Sequence, residues 1–342
     1  MNVAVCLVTY GSADDLPGCF AALAAQDHRP FEVVVVDCNS TDASVAVARE
    51  AELPEDIGRT VVPLGENRGF SGGMNAAFAR TDAPFLLTLN ADARPAPDFL
   101  RRLLERLADE RFARERFAAV TGRLVRPAKS DGAKSDGTRL LDACGMHLVP
   151  TWRHLDRGSG EPDDGRYATP ERVFGGTGAA TLWRRAALDD AALTKGEIFD
   201  PAFHSFREDA ELCFRLQARG WEVVYEPAAV CEHHRRVLPA RRRELPAAIN
   251  YHSLKNRYLL RAYHQTAGNF LRTLVPTLWR DLLALGYVLA VERTSLPAYG
   301  WLWKHRRDIL DRRRRLRERC ISPKAVERWF TQPALPLPSE NA

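Results

Sequence analysis

A run of apolar residues that looks suited to a protein core ends abruptly on two polar side chains. The segment "LLTLNADAR" (86–94) carries Asn90 and Asp92 directly after its apolar stretch. A carboxylate in this place can bind a hard divalent cation such as Mg²⁺ or Mn²⁺, which usually keeps water and phosphate oxygens as its other ligands. Spacing alone leaves a second interpretation open, in which Asp92 only caps a turn before Pro95.

A second pair of carboxylates, Glu208 and Asp209, begins a segment that is typical of a helix and runs to Arg219. The N-terminus of a helix favours anions, and neighbouring helical residues point about 100° apart. Only one of the two is therefore expected to face a reactant, where it would serve as a general base. The alternative is a charged first turn that merely stabilises the helix.

The segment "GFSGG" (69–73) fits the G-x-S-x-G pattern of a hydrolase nucleophile. Four residues separate it from the preceding apolar run, and the Lys-Ser/Thr of a phosphate-binding P-loop is absent. A hydrolase is therefore disfavoured. We expect the glycines to let a helix N-terminus approach a ligand, with Asn67, Arg68 and Asn75 nearby, and "GGTGAA" (175–180) permits a similar close backbone approach.

The elements that must position these residues alternate along the N-terminal part of the chain. Continuous apolar strands are predicted at 3–10, 32–37, 60–64 and 85–90, with helices between them. This rhythm is typical of an α/β fold, in which helices cover both faces of a mostly parallel sheet. Ligands of such sheets bind beyond the carboxyl ends of the strands, where Thr9, Tyr10, Asp37 and Asn90 are expected.

Composition limits the other possibilities. No run of about 18 uncharged apolar residues suggests a membrane-spanning helix, and the start does not resemble a signal peptide. The seven cysteines are scattered without a Cys-x-x-Cys pair, which favours reduced thiols in the cytoplasm.

Residues 1–238 carry 29 Lys and Arg against 36 Asp and Glu, whereas residues 239–342 carry 20 against 8. The basic C-terminal third therefore has a separate role.

Seven motifs in a fixed order resemble those of the family 2 inverting glycosyltransferases, in particular the bacterial rhamnosyltransferase-like branch. They are "VTYGS", "VVVDCNSTD", "ENRGFSGGMN", "LLTLNADA", "GGTGAATLWRR", "FDPAFHSFREDAELCFRLQARGWEVVYEPAAVCEHH" and "NYHSLKNRYLLRAYH". The resemblance covers about residues 3–265. It implies a GT-A fold with a Rossmann-like half, a nucleoside-diphosphate sugar as donor, and a bound Mg²⁺ or Mn²⁺.

The resemblance also implies roles for single residues. Asp92 occupies the retained carboxylate position of the D-x-D motif and would bind the metal; His233 would complete the metal shell, with His234 as the alternate. Asp209 would be the base, and Glu208 would orient backbone or acceptor. The residues expected to bind the nucleotide sugar are Thr9, Tyr10, Asp37, Asn39, Asn67, Arg68, Gly69, Asn75, Asn90 and Gly176.

These points predict a catalytic GT-A domain over 1–240 with a polar loop insertion at 126–170, a C-terminal helical region over 241–332, and a flexible tail over 333–342. The expected reaction transfers a sugar to a glycan or glycolipid acceptor in the synthesis of a surface polysaccharide. The first candidate for the sugar is rhamnose, with dTDP-rhamnose as donor. The alternatives are a UDP-hexose donor or a catalytically silent nucleotide-sugar-binding scaffold.

The Trp- and Arg-rich C-terminal segment has two interpretations. Residues 270–291 are too interrupted by polar residues to span a membrane, and "WLWKHRRDILDRRRRLRERC" (301–320) suits a helix on an anionic membrane surface. The same helix would otherwise pack on the catalytic domain or on a second subunit of a homodimer. No nucleic-acid recognition fold accompanies the charge, so nucleic acid is not an expected partner. We expect a cytoplasmic protein; in the first of the two interpretations it is peripheral on the inner membrane face and contacts an anionic membrane through 270–320.

Overall fold

The computed structural model describes residues 2–109, 116–127, 139–235 and 246–337. Its centre is an 11-stranded sheet. The strands are β1 (Val3–Thr9), β2 (Phe31–Asp37), β3 (Ile57–Pro63), β4 (Phe85–Asn90), β5 (Ala93–Pro95), β6 (Phe117–Val125), β7 (Leu141–Ala143), β8 (Met146–Val149), β9 (Arg153–Asp156), β10 (Glu171–Val173), β11 (Ala180–Arg184), β12 (Glu222–His233) and β13 (Ala334–Pro336).

The helices are α1 (Leu16–Ala24), α2 (Ser44–Glu50), α3 (Gly69–Phe78), α4 (Phe99–Ala108), α5 (Arg185–Ala191), α6 (Glu208–Ala218), α7 (Ala247–His264), α8 (Ala267–Ala290), α9 (Pro297–Lys304), α10 (Arg306–Glu318) and α11 (Pro323–Glu327). The strand order across the sheet is β13-β10-β12-β6-β11-β4-β1-β2-β3. Strands β4, β1, β2 and β3 run parallel, whereas β11 is antiparallel to both of its neighbours.

Two apolar cores lie on opposite faces of this sheet, as the continuous apolar strands predict. Along β1, the buried side chains of Val3, Val5 and Leu7 belong to one core, and those of Ala4 and Cys6 belong to the other. This alternation follows from the two-residue period of a strand. The predicted α/β sheet covered by helices on both faces is confirmed.

The prediction of a polar surface loop at 126–170 is wrong for much of that segment. Strand β7 pairs with β6 inside the main sheet, and β8 pairs with β9 in a separate hairpin. The reason is the apolar sequence "LLDACGMHLV" (140–149), whose side chains pack against the sheet and leave Asp142 and Cys144 fully buried. The polar "KSDG" stretch, within 128–138, lies outside the described residues.

The C-terminal helices pack on the catalytic half through α7. Leu259, Leu260 and Tyr263 of α7 belong to the main core, whereas α8 and α9 share a small apolar cluster with α7 that contains Leu254, Val288 and Ala298. The predicted boundary at 240 falls outside the described residues and stays a prediction. The predicted flexible tail is wrong for Ala334–Pro336, because these residues pair antiparallel with β10.

Candidate active site

A cleft of about 260 Å³ lies beyond the carboxyl ends of β1 and β4. The residues that line it include Tyr10, Asn67, Asn90, Asp92 and His204. Gly69 and Phe70 at the beginning of α3 form another part of the wall. The cleft thus occupies the place where open α/β sheets bind ligands, and it brings Tyr10, Asn67, Gly69, Asn90 and Asp92 of the expected site together.

A chain of three polar side chains extends from the cleft into the protein. The Nε2 atom of His233 lies 3.2 Å from Oδ1 of Asp92, and its Nδ1 atom lies 2.7 Å from Oδ2 of Asp142. The three residues come together because β12, which ends at His233, and β7, which carries Asp142, both pair with β6. Histidine therefore meets Asp92 with one ring nitrogen while a buried carboxylate fixes the orientation of the ring.

Charged partners stabilise the buried end of this row of three side chains. Oδ1 of Asp142 lies 3.0 Å from Nε of Arg235, whose Nη2 atom lies 2.6 Å from Oδ2 of Asp156. Burial disfavours the charged form of Asp142, but the hydrogen bond with His233 and the guanidinium of Arg235 keep the pKa of that carboxyl below its usual value. Burial alone would lower the pKa of His233, and the two carboxylates raise it to about 9.

The side chain of His234 points in a different direction from that of His233. Its Nε2 atom lies 2.7 Å from Oε1 of Glu232, and its backbone N–H donates to the carbonyl of Asp92. Successive side chains of a strand point to opposite faces, so only one of the two histidines can meet Asp92. The geometry points to His233.

The pair formed by Asp92 and His233 fits a divalent cation in its donor chemistry. Two ligand atoms at about 2.1 Å from one ion and at a right angle to each other lie about 3 Å apart, close to the separation of this carboxylate and imidazole. Within the described residues, no group of three or more His, Cys, Asp and Glu is arranged to hold a metal. The part of the chain that the structure describes therefore offers the pair Asp92 and His233, and water and phosphate oxygens would fill remaining positions.

The second carboxylate pair, Glu208 and Asp209, stands at the beginning of α6 and is not among the residues that line the cleft. Oδ2 of Asp209 accepts a hydrogen bond of 3.0 Å from the N–H of Gly178, and Oδ1 accepts one of 2.7 Å from the N–H of Ala210. The next carbonyl, that of Ala179, accepts from the N–H of Asn90 at 2.9 Å. A short stretch of backbone thus connects the Asp209 carboxylate to the strand end that leads into Asp92.

Burial controls the protonation of this pair. It raises the pKa of Asp209 above 3.8, against the opposing effect of the Gly178 and Ala210 N–H groups. Burial together with the neighbouring Asp209 carboxylate raises the pKa of Glu208 well above 4.5. Oε2 of Glu208 is buried without a hydrogen-bond partner. Perturbed carboxyl groups of this kind are typical of acid–base sites.

A strained loop leads into α6. His204, Phe206 and Arg207 all have left-handed backbone conformations, with φ of +63°, +69° and +73°. Such conformations are costly for residues other than glycine and occur often at functional sites. The buried amide of Asn256 on α7 holds the loop, because its Nδ2 group lies within 2.8 Å of the carbonyls of Phe203, Ser205 and Phe206. The C-terminal helix α7 therefore positions Asp209.

Several residues that were expected to bind the nucleotide sugar lie behind the cleft and do not line it. The Thr9 hydroxyl donates to Oδ1 of Asp37 at 2.8 Å, and Asp37 also accepts from the N–H of Ser40 at 2.9 Å. Both residues are buried, so the structure does not expose the Asp37 carboxylate to the cleft. Asn39 is exposed in a left-handed conformation next to this pair.

Three further candidates are not in the wall of the cleft. The Asn75 amide donates to the Phe199 carbonyl at 2.8 Å and accepts from the Ile198 and Phe199 N–H groups, so its polar atoms are occupied by backbone. Gly176 is buried where a side chain would collide with Thr181. The side chain of Arg68 is exposed and paired with Glu66 at 2.9 Å. In this structure Asn75 holds the Ile198–Phe199 backbone, and Gly176 leaves room for Thr181.

Sequence reasoning missed Asp142, Asn256 and His204. Asp142 lay inside the segment interpreted as a loop, although the apolar residues around it were a signal for a strand. Asn256 lay in the quoted motif "NYHSLKNRYLLRAYH" without an assigned role. His204 lines the cleft and stacks on His252 with ring centroids 4.5 Å apart.

Comparison with known proteins gives matches at the level of sequence and of structure. Residues 4–147 match the family described as Glycosyl transferase family 2. The N-acetylglucosaminyl-diphospho-decaprenol L-rhamnosyltransferase of Mycobacterium tuberculosis is 28% identical over 252 residues, which cover 68% of this chain and 75% of that protein.

Two solved structures share the fold. S. aureus TarS 1–349 in complex with UDP superimposes with a TM-score of 0.52 at 17% identity, over 87% of this chain and 78% of that one. GalNAc-T7 with UDP, GalNAc and Mn²⁺ superimposes with a TM-score of 0.58 at 13% identity, over 78% of this chain and 48% of that one. At these identities the likeness shows the fold alone.

Proposed function

We propose that this glycosyltransferase of the GT-A fold, whose residues 4–147 match Glycosyl transferase family 2, transfers a sugar, with inversion, from a nucleoside-diphosphate sugar to a glycan or glycolipid acceptor. The observation that carries the proposal is the approach of the buried His233, through Nε2 at 3.2 Å, to Asp92, which lines the cleft. Such a pair suits a cation that neutralises a departing diphosphate.

The reaction is a single displacement at the anomeric carbon. The acceptor hydroxyl oxygen forms the new bond, the bond to the diphosphate oxygen breaks with its electron pair, and Asp209 takes the hydroxyl proton. The N–H groups of Gly178 and Ala210 hold the Asp209 carboxylate in one orientation. Glu208, the residue before Asp209, is buried and would orient backbone or acceptor.

A divalent cation, Mn²⁺ or Mg²⁺, is proposed at Asp92 and His233, where it would stabilise negative charge on the leaving group when bound. Asp142 keeps the Nε2 atom of His233 directed at Asp92 through its hydrogen bond to Nδ1. An imidazole ligand favours Mn²⁺ over the harder Mg²⁺. GalNAc-T7, which shares the fold, was solved with Mn²⁺.

The donor and acceptor are proposed by analogy. The name of the M. tuberculosis relative specifies an L-rhamnosyltransferase that acts on N-acetylglucosaminyl-diphospho-decaprenol. We therefore propose dTDP-rhamnose as donor and a lipid-linked glycan as acceptor, in polysaccharide synthesis on the cytoplasmic side of the membrane. A UDP-hexose is the second candidate donor, since TarS of the same fold was solved with UDP.

Thermal unfolding with a panel of nucleotide sugars, each with and without Mn²⁺, tests this proposal. A donor at 100 times its dissociation constant stabilises the folded state by about 2.7 kcal/mol. We expect dTDP-rhamnose with Mn²⁺ to give the largest shift and to be turned over when a lipid-linked acceptor is added. Stabilisation by a nucleotide sugar with no transfer to any acceptor would instead support the silent scaffold.

A further inference from the structure

Helix α8 carries a continuous apolar stripe that faces solvent. Its side chains recur at helical spacing and are exposed; they are Leu271, Val275, Leu278, Leu282, Leu285 and Leu289. Trp279 stands at the edge of the stripe and is 65% exposed. At 1.5 Å per residue the stripe is about 27 Å long. Soluble monomers rarely expose an apolar surface this large and continuous.

The opposite face of α8 is fixed to the catalytic half. The hydroxyl of Thr273 accepts from Nε1 of Trp152 at 3.0 Å, and the hydroxyl of Thr277 donates to the carbonyl of Pro150 at 3.1 Å. Both contacts are made by the turn between β8 and β9. Strand β9 of that hairpin carries Asp156, which pairs with Arg235, and Arg235 in turn pairs with Asp142 beside His233. Helix α8 therefore has a defined orientation relative to the cleft.

Several arginines in and directly after the Arg-rich helix α10, in contrast, make contacts with the rest of the protein. Arg313 donates to the carbonyls of Ala262 and Gln265, Arg312 pairs with Glu197, and Arg319 donates to the carbonyls of Ala192 and Asp190. The expectation that 301–320 forms the membrane-facing helix is therefore wrong for these arginines, which anchor α10 to the domain.

The surroundings of the apolar stripe indicate what covers it. Exposed basic side chains lie on α8, after α8, at the end of α9 and at the beginning of α10; they are Arg272, Arg280, Arg293, Lys304, Arg306 and Arg307. Trp303, 70% exposed, adds a second tryptophan. Apolar side chains bordered by tryptophans and cations match an anionic lipid interface. A second copy of this chain would bring two positive rims together, which opposes association.

We propose that the exposed face of α8 inserts into the interfacial region of an anionic membrane, with its axis in the membrane plane and the basic rim on lipid phosphates. Among the described residues, no single helix is long and apolar enough to cross a bilayer, and α8 passes that test only together with residues 293–304, at a bend of 113°. An in-plane helix suits these dimensions. This inference is independent of the transfer reaction.

The test is co-sedimentation of the full chain with vesicles of phosphatidylcholine, alone or mixed with phosphatidylglycerol. The variant Leu278→Glu/Leu282→Glu places two carboxylates at the centre of the stripe. The matched control, Leu310→Glu/Ile321→Glu, makes the same change at two apolar side chains that are equally exposed but lie outside it. Thermal unfolding of each variant checks that the fold is kept.

We expect the wild type to bind the mixed vesicles, the stripe variant to bind them roughly tenfold or more weakly, and the control to bind like the wild type. Binding to phosphatidylcholine alone should be weaker, because its zwitterionic headgroup carries no net negative charge to attract the basic side chains. Equal binding by the wild type and the stripe variant would overturn the proposal. So would a wild-type dimer in analytical ultracentrifugation that the stripe variant converts to a monomer, since a second copy would then cover α8.

Discussion

Asp142 lies fully buried with its Oδ2 atom 2.7 Å from Nδ1 of His233, at the far side of the imidazole from Asp92. A carboxylate in this position fixes the ring orientation and leaves Nε2 for the cation. The arrangement makes Asp142 a positioning residue for the proposed metal, although it does not reach the cleft.

Asp142→Asn is expected to weaken Mn²⁺ binding by about 10- to 100-fold, because the ring of His233 loses its charged partner. Isothermal titration with Mn²⁺ in the presence of nucleotide measures the effect. Asp163→Asn is the control. The Asp163 carboxylate lies 3.1 Å from the guanidinium of Arg123, and this pair is away from His233. An unchanged Mn²⁺ affinity in Asp142→Asn would exclude this role.

His233→Ala and His234→Ala should differ. Only His233 approaches Asp92 with a ring nitrogen, whereas His234 is paired with Glu232. We expect His233→Ala to change the Mn²⁺ concentration that gives half-maximal turnover, and His234→Ala to leave it within about twofold of the wild type. If the metal response of His233→Ala equals that of the wild type, His233 is not a ligand.

Gly69→Ala and Gly11→Ala compare two glycines with the same backbone strain. Their φ angles are +63° and +64°, but a side chain at Gly69 would collide with the ring and the carbonyl of His204, whereas one at Gly11 meets no atom within 4 Å. Both variants should lose about 1 kcal/mol of stability from the left-handed conformation. Gly69→Ala should lose more in urea unfolding and should bind donor more weakly; equal losses would contradict the contact with His204.

The pH dependence of transfer should reflect the buried base. A base acts only when deprotonated, and burial raises the pKa of Asp209 above 3.8. Activity should therefore fall with decreasing pH at a higher pH than an ordinary aspartate would give. The measurement is kcat/KM against pH, with donor binding followed over the same range as the control. An acid limb at or below pH 3.8 would contradict Asp209 as the base.

The sequence was sufficient for the features that local pattern determines. The apolar strands and their polar ends at Asn90 and Asp92 follow from short segments, and so does the beginning of α6 at Glu208. The contact between Asp142 and His233 could not be predicted from the sequence, because it depends on β7 and β12 both pairing with β6. The hydrogen bonds that occupy Asp37 and Asn75 could likewise not be predicted, since their partners Thr9 and Phe199 lie far away in the chain.

The most direct test of the account is single-turnover transfer by Asp209→Asn with the donor dissociation constant measured in the same samples. The account predicts donor and Mn²⁺ binding within a few-fold of the wild type and transfer lowered by at least about 10²-fold, the lower end of the contribution of a general base. Near-normal transfer by this variant would contradict the assignment of Asp209 as the group that takes the acceptor proton.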